Sequence, residues 1–437
     1  MKRVLPAAAF AVALACARTV GAHAVIDTSK TPASCPKLLT TKTVVECALS
    51  TSPDVASARA QLAAGSGRRL SANTWLPSNP VVSASLSQRQ RPAPENVQAL
   101  NWSLSLAQQF EIAGQRGLRL RAADAEVSAQ IRRVGVAEQD VASNVLSVFF
   151  NAVAARESLG LAEELFGIAE ALSRLVEGRA AESVMSGVEA DVARAEAIRL
   201  ALIRFEAERN LSQALTDLRV SLSDTAGSLI VPQVLTPPAV GDMDEAKALN
   251  DALRLRGELA AADMERVVLE SRLALVRRER MPNPTVSVFA ERGEINDRIL
   301  GLGLSFPLPL PAPIGRSRAG DISELQGQIR ASESSVELVR RRVQREVANA
   351  LALQRAKTAA LALFDPALIA RARADLAAIK AGISMNQLPL NEALVWQRGL
   401  IELLQSEIQV RREQALAWVE LHRVTGTLVT AVLGEGQ

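Results

Sequence analysis

Few residues in this sequence could carry out acid–base or nucleophilic chemistry. The 437 residues include only two histidines, His23 and His422. His23 falls in a segment that we expect to be cleaved. One remaining imidazole supports neither a His-based catalytic triad nor a His-rich metal site. The glycines form no phosphate-binding loop, and the carboxylates are scattered along predicted helices. We therefore predict that the protein is not an enzyme and binds no cofactor, and that His422 is structural.

The cysteines suggest an exported protein with one structural crosslink. Cys35 and Cys47 are twelve residues apart. In an exported chain such a pair predicts a disulfide, and the absence of a CxxC motif argues against a redox centre. The third cysteine, Cys16, follows Ala13-Leu14-Ala15, which lacks the larger aliphatic residue that a lipobox prefers three positions before the cysteine. The match to a lipobox is incomplete, and lipidation of Cys16 is the alternative to ordinary leader cleavage.

Residues 1–24 have the layout of a secretory signal peptide. Lys2 and Arg3 precede an apolar run over 4–15, and Ala22-His23-Ala24 offers an A-x-A cleavage site. This segment holds three of the 50 basic residues and no acidic residue, so cleavage would leave 47 basic and 47 acidic residues. A neutral mature chain predicts no nucleic-acid partner, because nucleic-acid binding depends on a basic surface.

The composition favours long helices that pack through small side chains. Apolar residues make up 48% of the chain and aromatic residues 3%, and tyrosine is absent. This apolar content excludes a disordered chain. Beyond residue 24 no predominantly apolar stretch of about 18 residues is free of charge, which excludes a polytopic helical membrane protein.

An internal repeat divides the chain into two similar halves. Asn79-Pro80-Val81-Val82-Ser83 recurs 204 residues later as Asn283-Pro284-Thr285-Val286-Ser287. That period is too long for a solenoid unit. We predict one elongated subunit over residues 25–437, built from repeats at about 40–231 and 244–430.

Each repeat contains a pair of predicted strands. Apolar and small polar residues alternate over about 80–90, 100–110, 284–292 and 299–307, and a period of two is the signature of a strand. The strands suit a membrane barrel, in which one face is apolar and the other polar. They also suit an ordinary half-buried hairpin. Four membrane strands cannot close a barrel, so the first interpretation requires a dimer with eight strands or a trimer with twelve.

Long coiled-coil helices follow each strand pair. Leu161, Leu165, Ile168, Leu172 and Leu175 are spaced four and three residues apart alternately, which is a coiled-coil seam. The helical run over about 117–178 turns back at a breaker-rich stretch, 178–187. The second half repeats this pattern and turns at 382–389. Each half is thus predicted to be a strand pair followed by a long antiparallel helical hairpin.

Three motifs in this order resemble the TolC-like outer-membrane efflux proteins. Leu76-Pro77-Ser78-Asn79-Pro80 is similar to that family's entry into the first strand. The stretch from Phe110 to Arg116, FEIAGQR, resembles the strand exit of the heavy-metal (cobalt-zinc-cadmium type) efflux branch. Phe306-Pro307-Leu308-Pro309 and the following Gly315-Arg316 resemble the exit in the second half. The resemblance extends over about residues 40–437.

The resemblance implies a mainly α fold with a small β part. In a homotrimer, the coiled-coil hairpins would form a twelve-helix periplasmic α-barrel. Four membrane strands per chain would complete a twelve-stranded barrel in the outer membrane of a Gram-negative bacterium. The chain would be the passive exit duct of a tripartite pump. Its implied partners are a periplasmic adaptor, outer-membrane lipid and an inner-membrane transporter of the resistance-nodulation-division type that exports metal cations.

The resemblance also assigns candidate functional residues. The adaptor would contact the two hairpin turns, whose candidate residues are Gly178, Met185, Gly187, Gly382, Met385 and Pro389. The thioethers of Met185 and Met385 suit adaptor packing and, as a weaker hypothesis, a metal site for a soft cation. Asn391 and Glu392 are the candidates for a pore constriction, although the family often has an aspartate where this chain has Asn391. An exposed helix charge is the alternative interpretation of Glu392.

Arginines crowd the predicted strand–helix junctions, which contain Gly114 and Gly315. The junction arginines are Arg116, Arg119, Arg121, Arg277, Arg278, Arg280, Arg316 and Arg318. At a membrane edge they would bind anionic lipid headgroups, and solvated helix ends are the alternative interpretation. The candidates for an aromatic girdle are Trp102, Phe110, Phe289 and Phe306.

Two other classes of function are compatible with these features. The same fold serves as the outer-membrane component of type I protein secretion systems and of multidrug efflux systems. A periplasmic coiled-coil structural protein would explain the helices and leave the alternating strands without a role.

Overall fold

The structure is mainly helical with one small sheet, as predicted. The computed structural model describes residues 35–90, 98–223, 229–239, 241, 243–292, 297–308, 310, 314, 317–385 and 389–434. The predicted signal peptide, Cys16, Gly315 and Arg316 lie outside the described residues.

The first half contains two short helices, a strand pair and a long hairpin. Their bounds are α1 Thr41–Thr51, α2 Pro53–Ala72, β1 Val81–Gln90, β2 Gln98–Gln109, α3 Gln115–Ala181 and α4 Gly187–Ser221. Helix α3 has 67 residues and is therefore roughly 100 Å long. It starts two residues before the predicted run and ends three residues after it.

The second half repeats this order. Its elements are α5 Glu245–Leu255, α6 Gly257–Arg278, β3 Thr285–Arg292, β4 Arg298–Ser305, α7 Ala319–Leu361, α8 Pro366–Ser384, α9 Leu390–Thr425 and α10 Leu428–Leu433. We call α3 and α4 the first hairpin, and α7, α8 and α9 the second hairpin.

The first arm of the second hairpin consists of two helices, a division that the sequence analysis did not predict. Helix α7 ends at Leu361 and α8 begins at Pro366, whereas α3 runs through the equivalent level without a break. The side chain of Asp365 accepts a hydrogen bond from the Ala367 N–H, which caps α8. Proline at the first position of a helix and a carboxylate cap before it together start a new helix. The hairpin still turns back where predicted, between Ser384 and Leu390.

The four strands form one antiparallel sheet in the order β1-β2-β3-β4. The turn-linked pairs are β1–β2 and β3–β4, and β2 pairs with β3 so that Leu104 faces Ala290 and Leu106 faces Val288. This central pairing joins the two repeats into one unit. Phe110 and Phe306 lie just beyond the strand ends.

The hydrophobic core runs along the two hairpins. The predicted seam residues Leu161, Leu165 and Leu172 of α3 are buried in it, together with Leu376 and Ile383 of α8. Helix α3 also contains an 18-residue window apolar enough to cross a membrane, but 61% of that window is buried inside the subunit. Its apolar character is therefore explained by packing between the helices.

A buried ionic cluster holds the linker between the repeats against the helices. Arg411 of α9 donates to the Leu235 carbonyl oxygen at 2.6 Å and to a Glu157 carboxylate oxygen at 2.5 Å. Glu157 of α3 in turn accepts the Leu235 N–H at 2.8 Å, and Glu407 accepts a second bond from Arg411 at 2.8 Å. Buried charges need such paired hydrogen bonds, because an unpaired one is strongly destabilising.

The N-terminal segment is attached to this linker and to α1. The Leu39 N–H donates to the Ile230 carbonyl oxygen at 3.0 Å, and the Ile230 N–H donates to the Lys37 carbonyl oxygen at 2.8 Å. Cys35 and Cys47 form a disulfide with their Cα atoms 5.6 Å apart. The disulfide therefore fixes this segment to α1, whose Val44, Val45 and Ala48 are buried.

Replacing both Cys35 and Cys47 by serine should lower the free energy of unfolding of this region by on the order of 3 kcal/mol, because the crosslink restricts the unfolded chain. The measurement is the thermal midpoint of the purified protein with and without a thiol reductant. The reductant should lower the midpoint of the wild type and leave the double variant unchanged. Equal sensitivity of the two proteins to the reductant would contradict this role.

Candidate functional site

One face of the sheet is apolar and exposed. Its members across the four strands are Val82, Leu86, Leu100, Trp102, Leu104, Leu106, Val286, Val288, Leu300, Leu302 and Leu304. Leu300 and Leu302 are 81% and 80% exposed, which is far more than a half-buried hairpin on a helical domain would leave. A contiguous apolar patch of this size indicates a surface that is covered by lipid or by protein.

The opposite face carries small and polar side chains. Ser85 and Ser103 lie opposite each other on β1 and β2, with their hydroxyl oxygens 2.8 Å apart. On β4 the same face shows Gly301 and Gly303. Phe289, predicted as a girdle residue, belongs to this face because it pairs with Ser105 and Gly301. That prediction is wrong, whereas Trp102 does lie on the apolar face.

The sheet has two edges that the subunit does not cover with a strand. Within the described part of the chain, β1 pairs only with β2, and β4 pairs only with β3. An edge strand presents a row of unpaired N–H and C=O groups, which is a template for another chain. An apolar face and open edges together cannot be placed in lipid as a single subunit.

Helix α4 adds a second exposed apolar surface. We call Val188, Val192, Ile198, Leu202 and Phe205 the α4 stripe, and all five are exposed. They share one side of the helix at near-heptad spacing. Such a seam is typical of a helix that packs against a helix of another chain.

The two hairpin turns meet at one end of the subunit. Arg179, near the end of α3, donates from its guanidinium to the carbonyl oxygen of Ile383 in α8 at 2.9 Å. Gly178, predicted as a turn residue, lies inside α3, and Gly187 is the first residue of α4. Gly382 lies inside α8, and Pro389 immediately precedes α9.

The two methionines at the turns have different environments. Met185 is half-buried and packs against the hydrophobic core, while Met385 is 65% exposed. The residues between Met385 and Pro389 lie outside the described residues. Among the residues that the structure describes, no group of three or more His, Cys, Asp or Glu side chains could hold a metal ion.

The carboxylates near the turns have different roles. Glu189 accepts hydrogen bonds from the Ser186 N–H at 2.7 Å and from the Ser186 hydroxyl at 2.9 Å, which forms a capping box at the start of α4. These bonds hold the pKa of Glu189 below its usual value. Asn391 and Glu392 lie in the first turn of α9 with their side chains exposed.

A buried carboxylate that sequence analysis missed links the two hairpins. Glu196 of α4 is 4% exposed and accepts hydrogen bonds from Arg199 of the same helix at 3.0 Å and from Arg398 of α9 at 3.2 Å. Burial alone would raise the pKa of Glu196, but the two arginines outweigh burial and hold the pKa below its usual value. We call these three residues the Glu196 clamp.

Two of the junction arginines, Arg116 and Arg119, bind the end of a helix. Arg116 donates to the carbonyl oxygen of Asn73 at 3.1 Å and to its side-chain oxygen at 2.7 Å, and its guanidinium lies 4.2 Å from the centre of the exposed Trp75 ring. Arg119 donates to the carbonyl oxygens of Ala72 and Thr74. Both arginines therefore satisfy carbonyl groups at the end of α2, which favours the helix-end interpretation for these two. Gly114, with φ of 72°, precedes α3 in a conformation that favours glycine.

His422 is buried near the end of α9. Its Nδ1 lies 2.8 Å from the Thr427 hydroxyl, and its ring is 4.4 Å from that of Trp418. Burial lowers the pKa of His422, so the imidazole is neutral at neutral pH. This environment is that of a packed structural residue.

Sequence comparison finds a distant relative that matches less than half of the chain. No family model matches the sequence. Protein CyaE of Bordetella pertussis is 27% identical over 188 residues, which are 43% of this chain and 40% of that protein. The aligned part is thus less than half of the curated relative.

Solved structures match more completely. A structure of CusC, described in terms of transmembrane channel formation, has a TM-score of 0.73 and 16% identity over 88% of this chain and 92% of that one. The CmeC outer-membrane channel of Campylobacter jejuni has a TM-score of 0.69 and 16% identity over 88% and 85% of the two chains. The chain therefore has the fold of the TolC-like outer-membrane channels, as the sequence motifs predicted.

Replacing Glu196 by glutamine should loosen the second hairpin at the clamp, because the amide cannot pair with both guanidinium groups. We expect a loss of about 1–2 kcal/mol in local stability, seen as faster amide hydrogen exchange in the first turns of α9. Glu206→Gln is the matched control, because its ion pair with Arg209 on the same helix is exposed on both sides. Equal exchange in the two variants would contradict the role of the clamp.

The stability of the C-terminal helices should depend on the protonation of His422. Its pKa in the folded protein lies below the unfolded value of about 6.5, so the unfolded chain binds more protons as the pH falls through that value. The free energy of unfolding should therefore decrease from pH 7.5 to pH 5.5 more steeply in the wild type than in His422→Gln. The two decreases should differ by on the order of 1 kcal/mol. Thermal unfolding across this range measures the difference, and parallel curves would count against it.

Proposed function

We propose that this protein is the outer-membrane exit duct of a tripartite efflux pump. The observation that carries the proposal is a small sheet with an exposed apolar face and two open edges, joined directly to coiled-coil hairpins. A sheet with these properties requires lipid around it and further strands beside it. The hairpins are long enough to continue from the membrane far into the periplasm.

Three copies account for the open edges. Joining β4 of one subunit to β1 of the next would pair every edge and give a closed barrel of twelve strands, with Ser85, Ser103 and Gly301 lining its lumen. A dimer would give eight strands, which is the size of a barrel filled by its own side chains. A duct needs a wider lumen, so the trimer fits the proposed role. The α4 stripe would pack against a neighbouring subunit at the same time.

The hairpin turns are the proposed contact for a periplasmic adaptor. Exposed apolar groups lie there, including Val184 and Met385. The flexible thioether side chain of methionine adapts readily to a partner surface. Met185 contributes to the core instead, so Met385 is the methionine that we assign to adaptor packing. The adaptor would connect the duct to an inner-membrane transporter of the resistance-nodulation-division type.

Metal cations are the proposed cargo, and the support for them is the resemblance of FEIAGQR to the heavy-metal branch. Met185 is half-buried in the core, so it gives no support to the hypothesis that the thioethers of Met185 and Met385 form a site for a soft metal cation. A ring of three Glu392 carboxylates at the inner mouth would attract cations, and its exposed position in each subunit is compatible with that role. The duct itself would be passive.

The structural alternative explains less of the molecule. A periplasmic coiled-coil protein would have no use for the exposed apolar face, which would promote aggregation in water. Type I secretion and multidrug efflux use the same architecture and differ in cargo. A growth assay separates the cargo classes.

Replacing Leu104 by arginine should abolish assembly in the membrane, because a guanidinium at the middle of the bilayer costs about 2–4 kcal/mol. The matched control is Ser103→Arg, the neighbouring residue on the polar face of the same strand. The measurement is complementation of a deletion strain, read as the trimer in the outer-membrane fraction and as growth with zinc, cobalt, cadmium, copper and common drugs.

The wild type and Ser103→Arg should restore the trimer, and Leu104→Arg should not. Restored growth on metals alone supports the proposed cargo, whereas restored growth on drugs alone would overturn it. Normal membrane assembly of Leu104→Arg would overturn the proposed duct, because the apolar face would then not face lipid.

A further inference from the structure

One bulky aromatic side chain interrupts the polar face of the sheet. The row that crosses all four strands at this level contains Ser83, Ser105, Phe289 and Gly301. One neighbouring row contains Val81, Ala107, Ser287 and Gly303, and the other contains Ser85, Ser103, Glu291 and Ile299. Phe289 therefore carries the largest side chain in these three rows, on the face that would line the lumen of the proposed duct.

The ring of Phe289 lies across the backbone of Gly301. A Cβ atom added at Gly301 would be 2.3 Å from Cζ of Phe289 and 2.8 Å and 2.9 Å from the two Cε atoms. These distances are far below van der Waals contact, so the far edge of the ring occupies the space that any other residue would need. The ring is half-buried even though its face of the sheet is open, because the β4 backbone covers one of its sides.

The neighbouring glycine has a different contact. A Cβ at Gly303 would be 2.4 Å from the Ser287 hydroxyl oxygen, and the Ser287 Cβ is 3.8 Å away. A serine hydroxyl can rotate to another staggered position at small cost. A phenyl ring on a β-strand has no comparable freedom, because the whole ring must move around χ1. Gly301 is thus the position at which the absence of a side chain determines where a neighbouring side chain points.

We propose that Gly301 keeps Phe289 flat against the inner wall of the barrel and so sets the free width of the lumen. The inference rests on the proposed function, since it requires the polar face to line a duct. A side chain at Gly301 displaces the ring into the lumen. In a trimer this happens three times at one level, which narrows the duct for every solute. Phe289 is the residue that determines width, and Gly301 is its positioning residue.

The test is the size of polymer that enters the barrel from its extracellular end. Purified trimers are reconstituted in planar lipid bilayers, and poly(ethylene glycol) of graded mass is added on the side where the strands open. Because the polymer enters from that side, the largest polymer that enters reports the width of the β-barrel and not that of the periplasmic mouth. The readout is the polymer mass above which the single-channel current is no longer reduced.

Four proteins are compared with the wild type. Gly301→Ala should have a lower polymer-mass cut-off than the wild type, because the displaced Phe289 ring stands in the lumen. Gly301→Ala combined with Phe289→Ala should recover the cut-off of Phe289→Ala alone, since the ring that caused the narrowing is gone. Gly303→Ala is the matched control and should keep the wild-type cut-off.

The outcomes separate this inference from the proposed function. If the wild-type trimer forms no channel, the proposed function fails. If the wild type conducts and Gly301→Ala has the wild-type cut-off, the positioning role of Gly301 is overturned while the duct stands. If Gly301→Ala yields no trimer, wild-type assembly of the double variant supports the displacement of the ring, and failure of the double variant as well would overturn it.

Discussion

The unpaired edges of a four-stranded apolar sheet are the constraint on which the rest of this molecule depends. In hydrocarbon no water is present to satisfy an edge N–H or C=O group, and each unsatisfied group costs several kcal/mol. Within the described chain, the outer edges of β1 and β4 have no partner strand for their N–H and C=O groups. Closure with other copies removes both edges at once. In the proposed duct the subunit is thus one sector of a barrel.

The internal duplication supplies that sector with two equivalent halves. Each repeat contributes a strand hairpin, and the β2–β3 pairing joins them into one sheet. β2 leads into α3 and α6 leads into β3 through short connections, so the sheet is attached to helices of both repeats. The Arg411 cluster then fixes the linker between the repeats to α3 and α9, and the disulfide between Cys35 and Cys47 fixes the N-terminal segment to α1. The small residues and low aromatic content of the chain are consistent with closely packed helices.

Features with a local signal were predictable from the sequence. Period-two alternation located all four strands, and the stretches with helix-breaking residues at 178–187 and 382–389 located the reversal of each hairpin. The break before Pro366 also had a local signal, the Asp365-Pro366 pair. That signal was overlooked because the second half was interpreted as a copy of the first. The family motifs led to the fold that the solved structures share.

Features that depend on contacts between distant segments were not predictable. The Glu196 clamp requires the register between α4 and α9, and heptad spacing gives only the register within one hairpin. The alternation pattern marked Phe289 as an exception, but its contact with Gly301 depends on the pairing of β3 with β4. Met185 and Met385 occupy similar places in the repeats, and only the packing distinguishes the half-buried side chain from the exposed one.

The most direct test of this account is disulfide crosslinking between edge strands of neighbouring subunits. Cysteine pairs, with one member on β1 and the other on β4, are introduced into the protein in its native membrane and oxidised. If subunits close a barrel through these edges, some register of the pair produces covalent dimers and trimers and no larger species. If every register yields monomers only, or an open ladder beyond three, the sheet does not close a trimeric barrel and the central claim is contradicted.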